Sequence, residues 1–139
     1  ECEQSRGWQQ VSFLGFQNRD GVKSIYDQAK IGMVTLYPIP NYLDAYPVKM
    51  FEYMAAGIPV ICSDIPLWKN IVEENSCGVS ADPLDSASIA DAINKLLQNE
   101  DMMKSMGAAG RKAVENKFNW KIESEKLIQL YKSLLINED

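Results

Sequence analysis

Between residues 31 and 81, three short apolar runs alternate with two helix-like segments, and this alternation restricts the fold more than any other feature. The runs 31–37 (IGMVTLY), 59–63 (PVICS) and 77–81 (CGVSA) lack the polar alternation of a half-solvated strand. They read as parallel strands covered on both faces. Segment 47–56 (PVKMFEYMAA) is a helix with both ends marked. Pro47 suits the first helical position, where its missing N–H costs nothing. Gly57 suits a left-handed cap, with Pro59 just beyond it. Pro66 opens a second helix that runs to Glu74, and Asn75 breaks it.

Upstream, 11–16 (VSFLGF) reads as a fourth strand closed by Gly15. Asp20 then caps a helix to Lys30, with Val22, Ile25, Tyr26 and Ala29 on one face. The prolines at 38 and 40 make the next segment a loop. Downstream, Asp85 caps a helix with Ile89, Ala92, Ile93, Leu96 and Leu97 at amphipathic spacing. Asp101 caps another to Asn116, and Phe118-Asn119-Trp120 marks a turn. A last helix puts Leu127, Tyr131, Leu134 and Leu135 on one stripe. The expected fold is α/β, a doubly wound parallel sheet, over one domain, 1–139. Four strands are few for such a sheet, and the chain has no initiator Met. One or two opening strand–helix units are therefore expected to be missing, leaving the domain N-terminally incomplete.

Composition narrows the function. Lys plus Arg is 14 and Asp plus Glu is 19, a net charge of −5, which is not the electrostatic footprint of a nucleic-acid binder. No apolar run approaches the ~18 residues needed to span a bilayer, and ECEQSRGWQQ has no signal-peptide pattern. Three cysteines without a CxxC pair fit a reduced, cytoplasmic setting, with no metal site implied. Cys62, inside an apolar run, reads as a buried small hydrophobe. Met102, Met103 and Met106 read as core filling. With no histidine, serine- and cysteine-based triads and HExxH zinc chemistry are excluded. Any acid–base work falls to carboxylates, lysine or tyrosine.

Chemistry concentrates in 44–52 (DAYPVKMFE). In open α/β sheets ligands bind beyond the carboxyl ends of the strands, and this segment follows such an end. The amides of Val48 and Lys49 lie in the first helical turn and have no intrahelical acceptor. With the helix dipole they form a phosphate site, to which Lys49 adds charge. Glu52, one turn further in, can accept from the vicinal hydroxyls of a ribose. Asp44 precedes the helix and can hold a sugar hydroxyl. Met50, Phe51, Met54 and Ala55 are expected to face the core.

The stretch YPVKMFEYMAAGIPVICSD, with VSFLGF before it and PLW..IVEEN..G, SIADAI and F-N-W after it, resembles the retaining GT-B glycosyltransferases of group 1. More narrowly it is similar to the P-x-K-x-x-E-Y-M-A-A-G-x-P-V subgroup. The resemblance covers only the C-terminal, nucleotide-sugar-binding domain, a Rossmann-like half, and implies a missing N-terminal acceptor domain as partner. The family motif is two glutamates separated by seven residues. Glu52 matches the second, which in the family binds ribose. Asp44 stands at the first, by the transferred sugar, and is a departure that retracts the carboxylate by one C–C bond. Ala45, Tyr46, Pro47 and Val48 correspond to the diphosphate loop, Lys49 matches the subgroup, and Gly15 and Phe16 correspond to the strand end near the base. The resemblance implies no cofactor and no bound metal; the nucleoside-diphosphate sugar is the donor substrate, and helix dipole and basic residues offset the leaving diphosphate. It implies transfer with retention, in surface polysaccharide synthesis, in the cytoplasm or at the cytoplasmic face of a membrane. This chain alone is expected to be inactive, and to self-associate if its last helix belongs against the other domain. Two alternatives differ in class. One is a non-catalytic nucleotide-binding or scaffold domain of the same fold, the scaffold being favoured by loss of nucleotide binding in a full-length chain. A phosphoryl-accepting receiver needs an acidic pair after the first strand, where Gln17, Asn18 and Arg19 stand.

Overall fold

The computed structural model describes residues 2–136. Three parallel strands, β1 (Gly32–Val34), β2 (Val60–Ser63) and β3 (Gly78–Ala81), form one sheet in the order β1-β2-β3. Gly32 pairs with Val60, and Val60 with Gly78. Parallel neighbours cannot be joined by a tight turn, so each connection carries a helix. α3 (Val48–Ala56) links β1 to β2, and α4 (Pro66–Glu74) links β2 to β3. Two short 3-10 turns and α1 (Arg19–Tyr26) precede the sheet. The other helices are α2 (Pro40–Leu43), α5 (Ser86–Leu97), α6 (Glu100–Asn116) and α7 (Trp120–Ile136).

Alternation along the buried β2 sends its side chains to two cores. Val60 and Cys62 meet Met50, Met54, Trp68, Val72 and Cys77 on one face. Ile61 meets Ala81, Ala92 and Leu96 on the other, where Met102, Met103 and Met106 are half-buried. Helices therefore cover both faces of the sheet, as the apolar runs require. Cys62 is fully buried, and burial pushes its thiol up to about 12. α6 wraps the edge between the faces. Its Gly107 lets the backbone approach Gly57, which ends α3 with φ of 75°.

Several expectations are corrected. Residues 11–16 form no strand; Phe13 and Phe16 are 80% and 96% exposed. An apolar run becomes a strand only against an edge that takes its hydrogen bonds, and no strand among the described residues pairs with it. The run 31–37 shortens to Gly32–Val34, and past it a side-chain hydroxyl rather than the backbone of β2 takes up the bonding. There Leu36 N–H donates to Ser63 Oγ (2.9 Å), and the hydroxyl donates to Leu36 carbonyl (2.7 Å). The expected loop contains α2, with Pro40 in its first turn. Asn18, not Asp20, caps α1 by accepting from Gly21 N–H, and the helix ends at Tyr26. Asn99, not Asp101, caps α6 through Met102 N–H. In both cases the aspartate sits in the first turn, favoured by the dipole rather than by a cap bond. Pro47 is the N-cap residue of α3 rather than its first helical residue. The α7 stripe overturns nothing: of the two placements left open for it, the structure shows the exposed one, with Leu127, Tyr131, Leu134 and Leu135 facing solvent at 45–71% exposure.

Candidate functional site

Each crossover helix of a parallel sheet starts at the carboxyl edge, so the start of α3 lies there by topology. The approach to it is fixed at one point. Trp68 of α4 is fully buried, and its indole N–H donates to the Ala45 carbonyl at 2.7 Å. Tyr42 packs on the same indole at 6.3 Å between ring centroids. The carbonyl of Ala45 is thus turned inward to the core. The segment 46–49 leaves that anchor and enters the helix, where Met50 N–H already donates to Pro47 carbonyl (3.0 Å). Val48 and Lys49 precede that bond, so their amides have no acceptor in the helix. Both side chains are exposed. The result is a pair of donors at the positive end of a nine-residue helix, which suits an anion.

Asp44 ends α2 as its C-cap residue and is exposed. Glu52 follows Val48 by one helical turn, also exposed, and its Oε2 accepts from the Tyr26 hydroxyl at 3.2 Å. The Tyr26 ring packs edge-on against Tyr53 at 5.5 Å. Burial, and then the Glu52 charge beside it, pushes the Tyr26 phenol up to about 12, and the same two causes raise Tyr53. Tyr46 stacks at a tilt on Phe51 (6.2 Å), which in turn meets Phe118 (5.1 Å). Behind these rings lies a groove of about 930 Å³ between α3 and the α6–α7 junction, lined by Val48, Glu52, Ala55, Lys117 and Trp120 among others.

Ala45, Tyr46, Pro47, Val48 and Lys49 therefore converge on one loop and helix start, with Asp44 before it and Glu52 after it. Phe16 is not brought to them by any contact; it stands in solvent with the rest of its run. Met50 and Met54 are core residues and Phe51 is half-buried, whereas Ala55 lies on the groove rather than in the core. Two contributors carry no assignment from sequence. Trp68 sits on the apolar face of its helix, and a buried indole N–H signals that some acceptor must exist, but not which one. Tyr26 reads as one more apolar-face residue of α1, and nothing local ties it to Glu52, 26 residues away.

Comparison with known proteins decides the family. The model of the family described as "Glycosyl transferases group 1" matches residues 1–113. The chain belongs to this group 1 family. It is 29% identical over 125 residues to a phosphatidyl-myo-inositol mannosyltransferase of Mycobacterium leprae (strain TN), covering 89% of this chain and 32% of that protein. It is 28% identical over 125 residues to the amylovoran biosynthesis glycosyltransferase AmsK of Erwinia amylovora, covering 89% and 31%. Among solved structures it is similar to the sucrose-phosphate synthase (tll1590) of Thermosynechococcus elongatus, with a TM-score of 0.80 at 27% identity over 92% of this chain and 31% of that one. This group 1 chain spans about a third of the length of the curated relatives it matches. Within the described residues no helix is long and apolar enough to cross a membrane.

Proposed function

We propose that this chain is the donor-binding part of a retaining glycosyltransferase. The enzyme would move a sugar from a nucleoside-diphosphate sugar to an acceptor in the synthesis of a surface polysaccharide or glycolipid. One observation carries the reading: the start of α3, pinned through Ala45 to Trp68, presents two unpaired amides at the carboxyl edge of the sheet, with a carboxylate one turn further in. In this reading the amides of Val48 and Lys49 hold the diphosphate, and the Lys49 ammonium adds charge. Glu52 accepts from the ribose hydroxyls. Asp44 holds a hydroxyl of the transferred sugar.

The electrostatics fit the chemistry. As the glycosidic C–O bond breaks, negative charge gathers on the leaving diphosphate, and fixed donors at a helix start stabilise it without reorganising. The relatives named as a phosphatidyl-myo-inositol mannosyltransferase and an amylovoran biosynthesis glycosyltransferase support the glycan class. A partner domain would supply the acceptor, so the chain alone is expected to bind donor without transferring it. The reading is tested by following amide chemical shifts of this chain through titration with UDP, GDP, ADP and their sugar conjugates. Shifts concentrated at 44–52 with one base, lost in Glu52→Ala, are expected. A flat response to every nucleotide at millimolar concentration would overturn it.

A further inference from the structure

The carboxylate of Glu52 is held from a distant element. Gly32, at the start of β1, has no side chain, and a Cβ there would collide with the Tyr53 ring, which lies across it. Tyr26 of α1 stands edge-on to that ring at 5.5 Å and reaches past it to donate its hydroxyl to Glu52 Oε2 at 3.2 Å. The order is a relay of contacts: a glycine in the sheet seats one tyrosine, that tyrosine seats a second, and the second takes one oxygen of the carboxylate. A carboxylate has roughly four lone-pair sites, so a single donor leaves enough for a bidentate grip on a vicinal diol. Without the hydroxyl, the exposed glutamate is free to sample its rotamers, and a diol must immobilise it on binding.

We propose that Tyr26 is a positioning residue that orients Glu52 for the two ribose hydroxyls and thereby sets the preference of this site for ribonucleoside over deoxynucleoside diphosphates. The inference rests on the reading of Glu52 as the ribose acceptor. Tyr26 does not touch the ligand; its effect passes through Glu52 alone. The phenol keeps its proton far above neutral pH, since it is pushed up to about 12, so it is a donor throughout the physiological range.

The test uses the 139-residue chain and calorimetric or NMR titration with UDP, GDP and ADP beside their 2′,3′-dideoxy counterparts. Tyr26→Phe keeps the ring on Tyr53 and removes only the hydroxyl. It is expected to weaken the ribonucleoside diphosphate by about three- to tenfold, the loss of one hydrogen bond, while leaving the dideoxy form unchanged. In a Glu52→Ala background the same change is expected to have no further effect, because the pair is already broken. Equal weakening of both ligand forms, or no weakening of either, would overturn the inference while leaving the donor reading intact. If the unaltered chain binds none of the diphosphates, the donor reading falls and this inference falls with it.

Discussion

Replacing Gly107 by alanine sets two effects of known sign against each other. In an exposed helix interior, alanine is favoured over glycine by about 1 kcal/mol. Burying one methyl group that fits would add about 0.8 kcal/mol. At Gly107, however, the new Cβ would run into the carbonyl oxygen of Gly57, a backbone atom that no rotamer change can move. α6 must then lift off α3 at their closest approach, disturbing the Met54 and Ala113 packing beside it. Overpacking of this kind costs about 1–3 kcal/mol, toward the upper end when backbone must yield, and the methyl that cannot seat contributes no burial term. Steric cost exceeds propensity, and the expected net loss is about 1–2 kcal/mol. For a chain of this size, that lowers the melting temperature by about 4–8 °C. Urea unfolding followed by tryptophan fluorescence reads it directly, because Trp68 is fully buried. Gly110→Ala is the internal control. There the Cβ would meet the Cys77 Cβ at 3.2 Å and Met54 at 3.4 Å, a contact that small shifts relieve, so the change should be close to neutral. A Gly107→Ala chain that is more stable than the unaltered one would refute the reasoning, since it would mean that α6 and α3 do not approach as closely as the Gly57–Gly107 contact requires.

Trp68→Phe keeps an aromatic ring in the core but removes the donor to Ala45; a loss of about 2 kcal/mol is expected in urea unfolding, with weaker nucleotide binding from a looser 44–49 segment. Absorbance at 295 nm should show the Tyr26 phenol ionising near 12 and moving down only part of the way in Glu52→Gln, because burial, the larger cause, stays while the adjacent charge is removed. The sign for stability follows: the unfolded phenol releases its proton near 10, so this contribution is complete below that pH and is lost as pH rises from 10 through 12. In a Cys2→Ser background, Cys62 and Cys77 should resist a disulfide-exchange reagent at pH 8 and react only on unfolding, because burial pushes their thiols up to about 12 and about 11. Prompt reaction of the folded chain would show that β2 is not sealed.

The part of the site that lies along one stretch of chain is legible in the amino-acid sequence alone. Residues 44–52 carry their spacing with them: a helix start after a strand, two amides without acceptors, a lysine and a carboxylate one turn on. The parallel sheet is legible for a similar reason, since an apolar run without alternation has only one kind of place to go. The features that escape a sequence reading are those that depend on a neighbour. Whether Asn18 or Asp20 caps a helix is decided by which side chain meets an orphan amide, and both residue types are suited to it.

Short-range periodicity and the few residues that start or stop a helix were therefore enough for the kind of sheet, the order of its longer helices and the segment proposed here to bind the donor. Tertiary structure alone decided that 11–16 stays off the sheet, that the α7 stripe faces solvent, that Trp68 fixes the Ala45 carbonyl and that Tyr26 holds Glu52. Each of these is a pairing between groups distant along the chain. A strand needs an edge, an apolar stripe needs a surface and a donor needs an acceptor, and a local pattern specifies only one member of each pair.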